Sequence, residues 1–577
     1  MTDFRLPVAK KSQVSYLAAT ILGGVLMGLT PAPFNAWPLA WIALAPLWVV
    51  VLQNPRRQFL NQPLLIGSLL WGVGYHGLAL LWITDLHPLT WLGIPWLGSI
   101  AIALFCWLFI TLWGSALVVI WAFLLRLLGA RLHILPPFSR VLIGAALWCS
   151  LETLWSWGPL YWTSLSYTQS PYNLSILHLG QLSGQFTVTA AIIAINGLLA
   201  EAWLARTVPL PTPTASRQLL HLPFTSPNSK SQISSRAEQN HAPRAINPKS
   251  KIQNPKSLTL AALILLACLH LLGFGLYSRS LDEAPDKALK VGIIQGNVPT
   301  QIKLTPAGKR QALRSYTEGY KTLASQGADA VLTPEGALPV LWRGATKTEN
   351  PLYQAIQAQG VVAWLGTFAP TDDSLGTDGA LRITQSLLTI TGTGEQFSRY
   401  NKVKLVPLGE YIPFETILGK WVEKLSSMRY SLEPGTVSQR FDTPFGRAAV
   451  GICYESAYGE IFRAQVADGG QFILTASNNG AYSPPMMAQH HAQDVMRAVE
   501  TDRWAVRATN TGLSGIVNRH GQTLWLSKPN RYGTHIATIY RQHTKTLYVR
   551  WGNWLTPALI IVSGIAIAIG FWRQSRP

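Results

Sequence analysis

The sequence predicts an α-helical membrane bundle of about eight transmembrane helices joined to one α/β domain on the outer face of the membrane. The composition is 48% apolar and 13% charged, with 23 tryptophans and a mean hydropathy of +0.19, which is far from that of an average soluble protein. Long apolar runs recur up to position 277, and the polar block 278–553 then alternates short strand patterns with helix patterns.

Eight apolar runs are candidates to cross a hydrocarbon core of about 30 Å. The runs are 14–29, 37–52, 64–86, 100–125, 141–157, 176–204, 258–277 and 554–572. The first two are short, and the stretch 91–128 has room for one span plus an interfacial piece, which leaves the count open by one. Arg5, Lys10 and Lys11 precede the first run as in a signal peptide, but no cleavage site follows, which predicts an uncleaved first span.

The distribution of Lys and Arg predicts the orientation of the bundle, because short loops rich in these residues stay in the cytoplasm. Basic residues lie before the first span, around Arg56, between spans four and five, throughout the insert 206–257 and after the last span. With eight spans all of these fall on one side. The polar block then lies outside, and topology rather than a nucleic-acid surface accounts for the formal charge of +20.

These patterns divide the chain into five segments. The insert is rich in Pro, Ser, Asn and Gln, which predicts a disordered cytoplasmic loop, with binding to anionic lipid headgroups as the alternative. The predicted segments are helices one to six at 1–205, the insert at 206–257, helix seven at 258–278, the α/β domain at 279–550, and helix eight with a tail at 551–577.

Strand and helix patterns alternate along the α/β domain. Two segments, 306–325 and 486–502, have helical patterns. Short apolar runs predict strands at 289–294, 330–332, 361–366, 386–390, 448–453, 472–475 and 504–508.

Three strand ends in this domain carry ionisable or nucleophilic residues, and such ends are where α/β folds place their sites. Glu335 follows the strand at 330–332, Cys453 ends the strand at 448–453, and Lys402 precedes a turn that carries Glu410. Taken singly, each has an ordinary interpretation as a loop carboxylate, a solvated lysine or an inert buried thiol. Together they fit nucleophilic catalysis, in which a base removes the thiol proton and a cation stabilises the developing anion.

Other site chemistries find little support in the sequence. His490 and His491 lie on a predicted helix without an obvious partner, which argues against a Cys-His pair with Cys453. The sequence has no CxxC or HExxH spacing and no Gly-rich phosphate loop, so we expect neither a metal nor a nucleotide cofactor. Cys453 is the sole cysteine of the domain, so an internal disulfide is excluded there.

The motifs of the chain resemble those of the apolipoprotein N-acyltransferase family, the membrane-embedded branch of the nitrilase superfamily, along nearly its whole length. One motif alone is weak, whereas the full set is specific. The matching motifs are VGIIQGN at 291–297, PE at 334–335, YNK at 400–402, LVP at 405–407, GEY at 409–411, ICYE at 452–455, SN at 477–478 and ATNTG at 508–512.

The resemblance implies an αββα sandwich and a role for each site residue. Glu335 is expected to be the general base, Lys402 the cation beside the oxyanion and Cys453 the nucleophile. Glu410 is expected to support the lysine, and Tyr454 and Glu455 to shape the site beside the nucleophile. The chain departs from the family pattern at two places. It has Leu304 where the family has a tryptophan, and Asn-Gly-Ala at 479–481 where the family has Asp-Ala-Trp. The resemblance therefore does not predict the lipid-contacting loops or the preferred acyl donor.

The resemblance also implies partners and a location. The expected partners are a phospholipid acyl donor, a diacylated apolipoprotein acceptor and the bilayer, with no nucleic acid, no cofactor and a monomeric enzyme. The expected location is the bacterial inner membrane with the catalytic domain in the periplasm. Two other functions stay open: a membrane-tethered amidase that hydrolyses a small polar substrate, and an inactive scaffold or transporter.

Polar side chains inside the predicted spans are costly and are therefore candidates for packing or functional roles. Glu201 lies near a helix end, where an interfacial position is expected. Asn196 and the more deeply placed Glu152 have both a structural and a substrate-facing interpretation.

Overall fold

A computed structural model describes residues 8–53, 62–132, 135–207, 254–281, 283–343, 348–375, 381–407, 409–411 and 432–574. The predicted insert at 206–257 lies outside these residues except for its two ends. Within them, a bundle of apolar helices carries one layered α/β domain, which is inserted between the last two long apolar helices.

The bundle is built from apolar helices of different lengths. Its main helices are Val8–Gly28, Ala45–Leu52, Gln62–Ala79, Trp96–Leu132, Pro137–Trp157, Gln185–Thr207, Pro255–Tyr277 and Leu555–Gln574. Four stretches among the described residues are long and apolar enough to span a membrane, namely Trp96–Leu128, Gln185–Arg206, Pro255–Tyr277 and Leu555–Arg573. The total of eight spans therefore stays a prediction.

Two of the predicted spans have different ends in the structure. The run 176–204 is not one helix, because Gly184 has a positive φ of 68° and separates two short helical turns from the helix Gln185–Thr207. The run 64–86 ends as an α-helix at Ala79, whose carbonyl accepts a hydrogen bond from the Gln489 side chain of the α/β domain, and a 3₁₀ segment follows.

The polar side chain of Asn196 has a structural role in the bundle. Its Oδ1 accepts hydrogen bonds from the main-chain N–H groups of Leu44 and Ala45, at 2.9 and 3.0 Å, where the helix Ala45–Leu52 begins. Its Nδ2 donates to two further main-chain carbonyls. Asn196 therefore satisfies groups that a helix terminus would otherwise leave unpaired in an apolar environment.

The two intramembrane carboxylates are buried and have polar partners. Glu152 accepts hydrogen bonds from the Trp148 indole at 3.2 Å and the Tyr161 hydroxyl at 3.0 Å. Glu201 is 1% exposed and pairs with Arg140 at 2.8 Å, and its expected position at the interface stays a prediction. Burial of this carboxylate is tolerated because the guanidinium compensates its charge.

The α/β domain contains two sheets. The first has the order β12-β1-β2-β4-β5-β6 with β3 beside β4, and the second has the order β11-β10-β9-β8-β7. The strands are β1 Ala288–Gln295, β2 Ala330–Leu332, β3 Leu338–Leu341, β4 Val362–Leu375, β5 Leu381–Ile390, β6 Gln396–Asn401, β7 Ala448–Ile452, β8 Phe472–Ser477, β9 Ala505–Thr509, β10 Gly515–Val517, β11 Thr523–Leu526 and β12 Gly533–Tyr540.

The two sheets pack face to face and form the expected four-layer sandwich. Apolar residues of both sheets share one core, in which the rings of Trp364 and Phe472 lie 5.7 Å apart. The helices Pro306–Ser325 and Pro351–Gln359 cover the first sheet, and Gly459–Ala467 and Pro484–Thr501 cover the second. All seven predicted strands and both predicted helices are present, with small shifts at their ends, and the predictions missed β3, β6, β10, β11 and β12.

The outer helices of the second sheet join the sandwich to the membrane bundle. Tyr458, Phe462 and Met496 belong to the same apolar core as the bundle helices. Loops of the bundle that are nearly free of Lys and Arg also contact this layer, because Gln489 donates to the Ala32 carbonyl and Tyr454 donates to the Pro159 carbonyl. The α/β domain therefore lies on the side of the bundle that carries these loops.

Candidate active site

Glu335, Lys402 and Cys453 converge at the ends of β2, β6 and β7. The Lys402 ammonium donates to Glu335 Oε1 at 2.8 Å. Asn478 joins the carboxylate to the thiol, because its N–H donates to Glu335 Oε2 at 3.0 Å and its carbonyl oxygen lies 4.0 Å from Cys453 Sγ. All three side chains are at least 90% buried. The structure thus brings together three groups that are 118 residues apart at the extremes, from 335 to 453.

Lys402 lies between two carboxylates. Its ammonium donates to Glu410 Oε1 at 2.7 Å as well as to Glu335, so two of its three N–H groups are used. Burial by itself lowers the pKa of Lys402, but Glu335 and Glu410 outweigh that effect and raise it well above its usual value. Lys402 is therefore a permanent cation. Glu410 contacts it directly, and the supporting role that the resemblance implies for Glu410 stays a prediction.

Cys453 sits on a sharp turn at the end of β7. Its φ of +53° is rare for a residue with a side chain, and a 3₁₀ segment starts at this position. Burial, reinforced by Glu335 and opposed by Lys402, raises the pKa of the Cys453 thiol to about 12. At neutral pH the sulfur is a protonated thiol, so its use as a nucleophile requires transfer of its proton to a neighbouring base.

Glu455 connects the strand of the nucleophile to the loop of the lysine. Its Oε1 accepts from the N–H groups of Val403 and Lys404, at 2.5 and 3.1 Å. Its Oε2 accepts from the N–H of Ile452 at 2.6 Å and the hydroxyl of Tyr400 at 3.1 Å. The four bonds fix the backbone on both sides of the site, so Glu455 positions Lys402 relative to Cys453.

Tyr454 faces the membrane bundle. Its ring stacks on Trp162, with centroids 5.9 Å apart and an interplanar angle of 5°, and its hydroxyl donates to the Pro159 carbonyl at 2.6 Å. Lys404, for which solvation is the ordinary expectation, instead donates to the Trp157 carbonyl at 3.0 Å. The residues around the nucleophile therefore contact the loop that follows the bundle helix Pro137–Trp157.

His490 contacts the main chain of the nucleophile. Its Nε2 donates to the Cys453 carbonyl at 2.7 Å, and its Nδ1 accepts from Asn479 at 3.1 Å. Burial, reinforced by Arg507, lowers the pKa of His490 to about 3, so the ring is neutral. His490 stabilises the unusual backbone of Cys453 and is not paired with the sulfur. The sequence pattern of the helix gives no signal for this contact.

Lys303 is a site residue that the sequence prediction missed. It is 7% exposed, and its ammonium donates to the main-chain carbonyl of Glu335 at 3.0 Å. It lies in the short helical turn Thr300–Lys303 that follows the end of β1, which is paired in parallel with β2. The available signal was the position of Lys303 after the end of the predicted strand at 289–294, which became β1. The neighbouring Leu304 is 43% exposed.

No group of three or more His, Cys, Asp or Glu side chains that could hold a metal ion occurs among the described residues. The ionisable groups that meet directly at this site are the Lys402 ammonium and the carboxylates of Glu335 and Glu410, with the Cys453 thiol beside them. A thiol, a base that bonds to the adjacent main chain and a fixed cation are the parts required to form and cleave an acyl-thioester.

Comparisons with known proteins agree with this geometry. Residues 23–198 match the family model of the apolipoprotein N-acyltransferase N-terminal domain, and residues 290–548 match that of carbon-nitrogen hydrolase. An amidase from Nesterenkonia sp. is similar at 18% identity with a TM-score of 0.33, over 46% of this chain and 95% of that one. The two family models therefore define an N-terminal domain of the acyltransferase type followed by a carbon-nitrogen hydrolase domain.

Full-length relatives identify the family. An apolipoprotein N-acyltransferase from Nostoc sp. is 50% identical over 95% of this chain and 98% of its own length. One from Synechocystis sp. is 44% identical over 94% of this chain and 98% of its own length. The chain belongs to the apolipoprotein N-acyltransferase family.

Proposed function

We propose that the protein transfers a fatty acyl group from a membrane phospholipid, through a thioester on Cys453, to the α-amino group of the diacylglyceryl-cysteine of lipoproteins. One observation carries the proposal: the Lys402 ammonium, the Glu335 carboxylate and the Cys453 thiol are linked within one buried cluster whose outer wall is the membrane bundle. The names of the relatives support the lipoprotein as acceptor.

The first half of the reaction acylates the enzyme. Glu335 takes the proton of the Cys453 thiol while the sulfur attacks the ester carbonyl, and the oxyanion of the tetrahedral intermediate is stabilised by Lys402, which has one N–H unused. Collapse of the intermediate breaks the ester C–O bond. The leaving glycerol oxygen takes the proton from Glu335, which yields a lysophospholipid and the thioester.

The second half transfers the acyl group to nitrogen. The neutral α-amino group attacks the thioester carbonyl, Glu335 takes the proton that the amine loses, and Lys402 again stabilises the oxyanion. Expulsion of the sulfur and its reprotonation by Glu335 give the amide and restore the free thiol. Each half ends with the Glu335 carboxylate deprotonated again, and the second half also restores the Cys453 thiol, as a two-step exchange of acyl groups requires.

The location of the site fits substrates that are anchored in a bilayer. Tyr454 and His490 both contact Trp162 in the loop that follows the bundle helix Pro137–Trp157. We infer that this loop lies at the outer surface of the bacterial inner membrane, that the catalytic domain is periplasmic and that the protein acts as a monomer. The predicted division into segments at 205, 257, 278 and 550 is part of the same proposal.

A trapping experiment tests the function. Purified protein in detergent is incubated with phospholipid that carries a labelled acyl chain, and the label on the protein is measured before and after hydroxylamine. We expect a hydroxylamine-sensitive label on the wild type and none on Cys453→Ala. Addition of a diacylated lipopeptide with a free amino group should remove the label and produce an N-acylated lipopeptide.

Cys268→Ala is the matched control. Cys268 is a cysteine too, but it is exposed on the bundle helix Pro255–Tyr277 and has no role in the proposed reaction. It should label like the wild type. Labelled wild type whose acyl group passes to water and never to the lipopeptide would support the hydrolase alternative. Absence of any label on a folded wild type contradicts the proposal.

A further inference from the structure

The Lys303 ammonium is a buried charge without a counterion contact. Among the described residues, its hydrogen-bond acceptor is the main-chain carbonyl of Glu335, and no carboxylate lies within the 4.0 Å of a salt bridge. Burial, opposed by Glu335 and Cys453, lowers its pKa to about 8, so the group is mostly charged at neutral pH. Two of its three N–H groups remain unused, and buried charges normally have partners.

A second unused donor lies beside it. The side-chain nitrogen of Gln385 is buried and has no hydrogen-bond partner, and the residue is 3% exposed. Both donors border the same small space above Gly336, because a Cβ at that glycine would lie 3.3 Å from Lys303 Nζ and 3.6 Å from Gln385 Nε2. Gly336 has a φ of +53°, so the absence of a side chain there permits the turn and keeps a Cβ from crowding the two donors.

The chemistry of this space defines its ligand. An ammonium and an amide N–H₂ are both donors, so the group that satisfies them is an acceptor, and the positive charge favours an anionic oxygen. The space adjoins Glu335, the proposed base, and that carboxylate bonds to Asn478 beside the Cys453 sulfur. An anion bound here would lie on the substrate whose carbonyl the thiol attacks.

We propose that Lys303 and Gln385 bind the phosphodiester of the phospholipid acyl donor. This inference rests on the proposed function, because it takes a phospholipid as the donor. In a glycerophospholipid the phosphodiester and the acyl esters are attached to the same three-carbon glycerol, which places an anion a few bonds from the reacting carbonyl. The site would thus select a phospholipid over a neutral acyl ester.

The experiment compares two donors that differ in the phosphate. Thioester formation on Cys453 is followed with phosphatidylglycerol and with diacylglycerol of the same acyl chains, in the same detergent. Loss of a charge-assisted hydrogen bond predicts that Lys303→Met lowers kcat/KM for phosphatidylglycerol by about 10- to 150-fold. The same variant should lower kcat/KM for diacylglycerol at least about tenfold less, because only the bond to the Glu335 carbonyl is lost with that donor, and Lys303→Arg should recover most of the phosphatidylglycerol rate. Gln385→Leu should show the same donor-dependent loss, but smaller, because its bond is neutral.

Lys309→Met is the control. Lys309 is an exposed lysine in the first turn of the next helix, Pro306–Ser325, and its side chain has no site contact. It should match the wild type with both donors. Equal losses with both donors in Lys303→Met would overturn the inference, because Lys303 would then act on the catalytic groups and not on the phosphate. An unchanged rate with phosphatidylglycerol would also overturn it. Failure of the wild type to react with either donor would instead count against the proposed function.

Discussion

Replacement of Glu455 by glutamine is the most informative perturbation of the site, because it changes one atom and leaves the proposed reacting groups in place. The amide is best accommodated with its oxygen toward Val403 and Lys404. Its N–H₂ then faces the hydroxyl of Tyr400, which can rotate to accept, and the N–H of Ile452, which cannot. The main chain that leads into Cys453 therefore loses its acceptor.

The magnitude follows from these contacts. A hydrogen bond to a charged group contributes about 1.5 to 3 kcal/mol, and a buried N–H left unsatisfied costs about 1 to 3 kcal/mol. Together these predict a loss of about 2.5 to 6 kcal/mol at the junction of β7 and the Lys402 loop. Since about 1.4 kcal/mol corresponds to a tenfold change in rate, thioester formation should slow by at least about 60-fold if the loss falls on the assembled site.

The assay is the single-turnover rate of labelled-acyl transfer to Cys453, with Glu460→Gln as the matched control. Glu460 is a carboxylate of the same domain, 61% exposed and paired with Arg463, and its variant should react like the wild type. Burial, opposed by the main-chain donors, raises the pKa of Glu455 to about 7. The carboxylate is needed in its charged form, so the wild-type rate should fall as the pH drops through about 7.

A Glu455→Gln enzyme that forms the thioester within about threefold of the wild-type rate would refute this account. The four hydrogen bonds would then be incidental to the position of Lys402. A slow variant fits the account whether or not its unfolding temperature is also lower. The four hydrogen bonds of Glu455 hold both the site and the fold.

Three other perturbations have defined outcomes. Lys402→Met leaves Glu335 and Glu410 buried without their cation, which should destabilise the domain by about 3 to 5 kcal/mol in thermal unfolding; recovery of stability, but not of turnover, is expected on adding Glu335→Gln. Glu335→Gln alone should abolish thioester formation yet lower the pKa of the Cys453 thiol, so alkylation by iodoacetamide at alkaline pH should become faster, and a slower reaction would contradict the assigned electrostatics. Gln489→Leu leaves the Trp82 and Trp162 indoles without their acceptor and should reduce stability by about 2 to 6 kcal/mol; Gln489→Glu should lose at least as much, because its buried carboxylate would face the carbonyls of Ala32 and Ala79 without a donor.

Much of the sandwich was predictable because its central strands are continuous apolar runs that end at turn residues. The runs that became β2 and β7 each place one reactive side chain shortly after the last strand residue, so Glu335 and Cys453 could be identified without the fold. The edge strands were harder to predict. β11 and β12 are largely half-exposed and lack a strong apolar pattern, so their pairing depends on neighbours that the local sequence does not specify.

In the bundle, the sequence alone predicted where apolar helices occur but not where two of them end. The break at Gly184 lies where a side chain would collide with Tyr548, and the carbonyl at the helix end Ala79 accepts a hydrogen bond from Gln489; both partners belong to distant parts of the chain. The partner of Glu201 was unpredictable for a similar reason. The local sequence does not show that the fold places Arg140 beside this carboxylate.

The sequence by itself determined the class of the chemistry: a thiol, a carboxylate and an ammonium at strand ends, beside helices apolar enough for a membrane. Only the tertiary structure decided how those groups are held and what surrounds them. Glu455, His490 and Lys303 act through main-chain groups of segments far away in the chain. Those contacts form when two sheets and a bundle pack, because hydrogen bonds depend on positions in space that no local pattern of residues encodes.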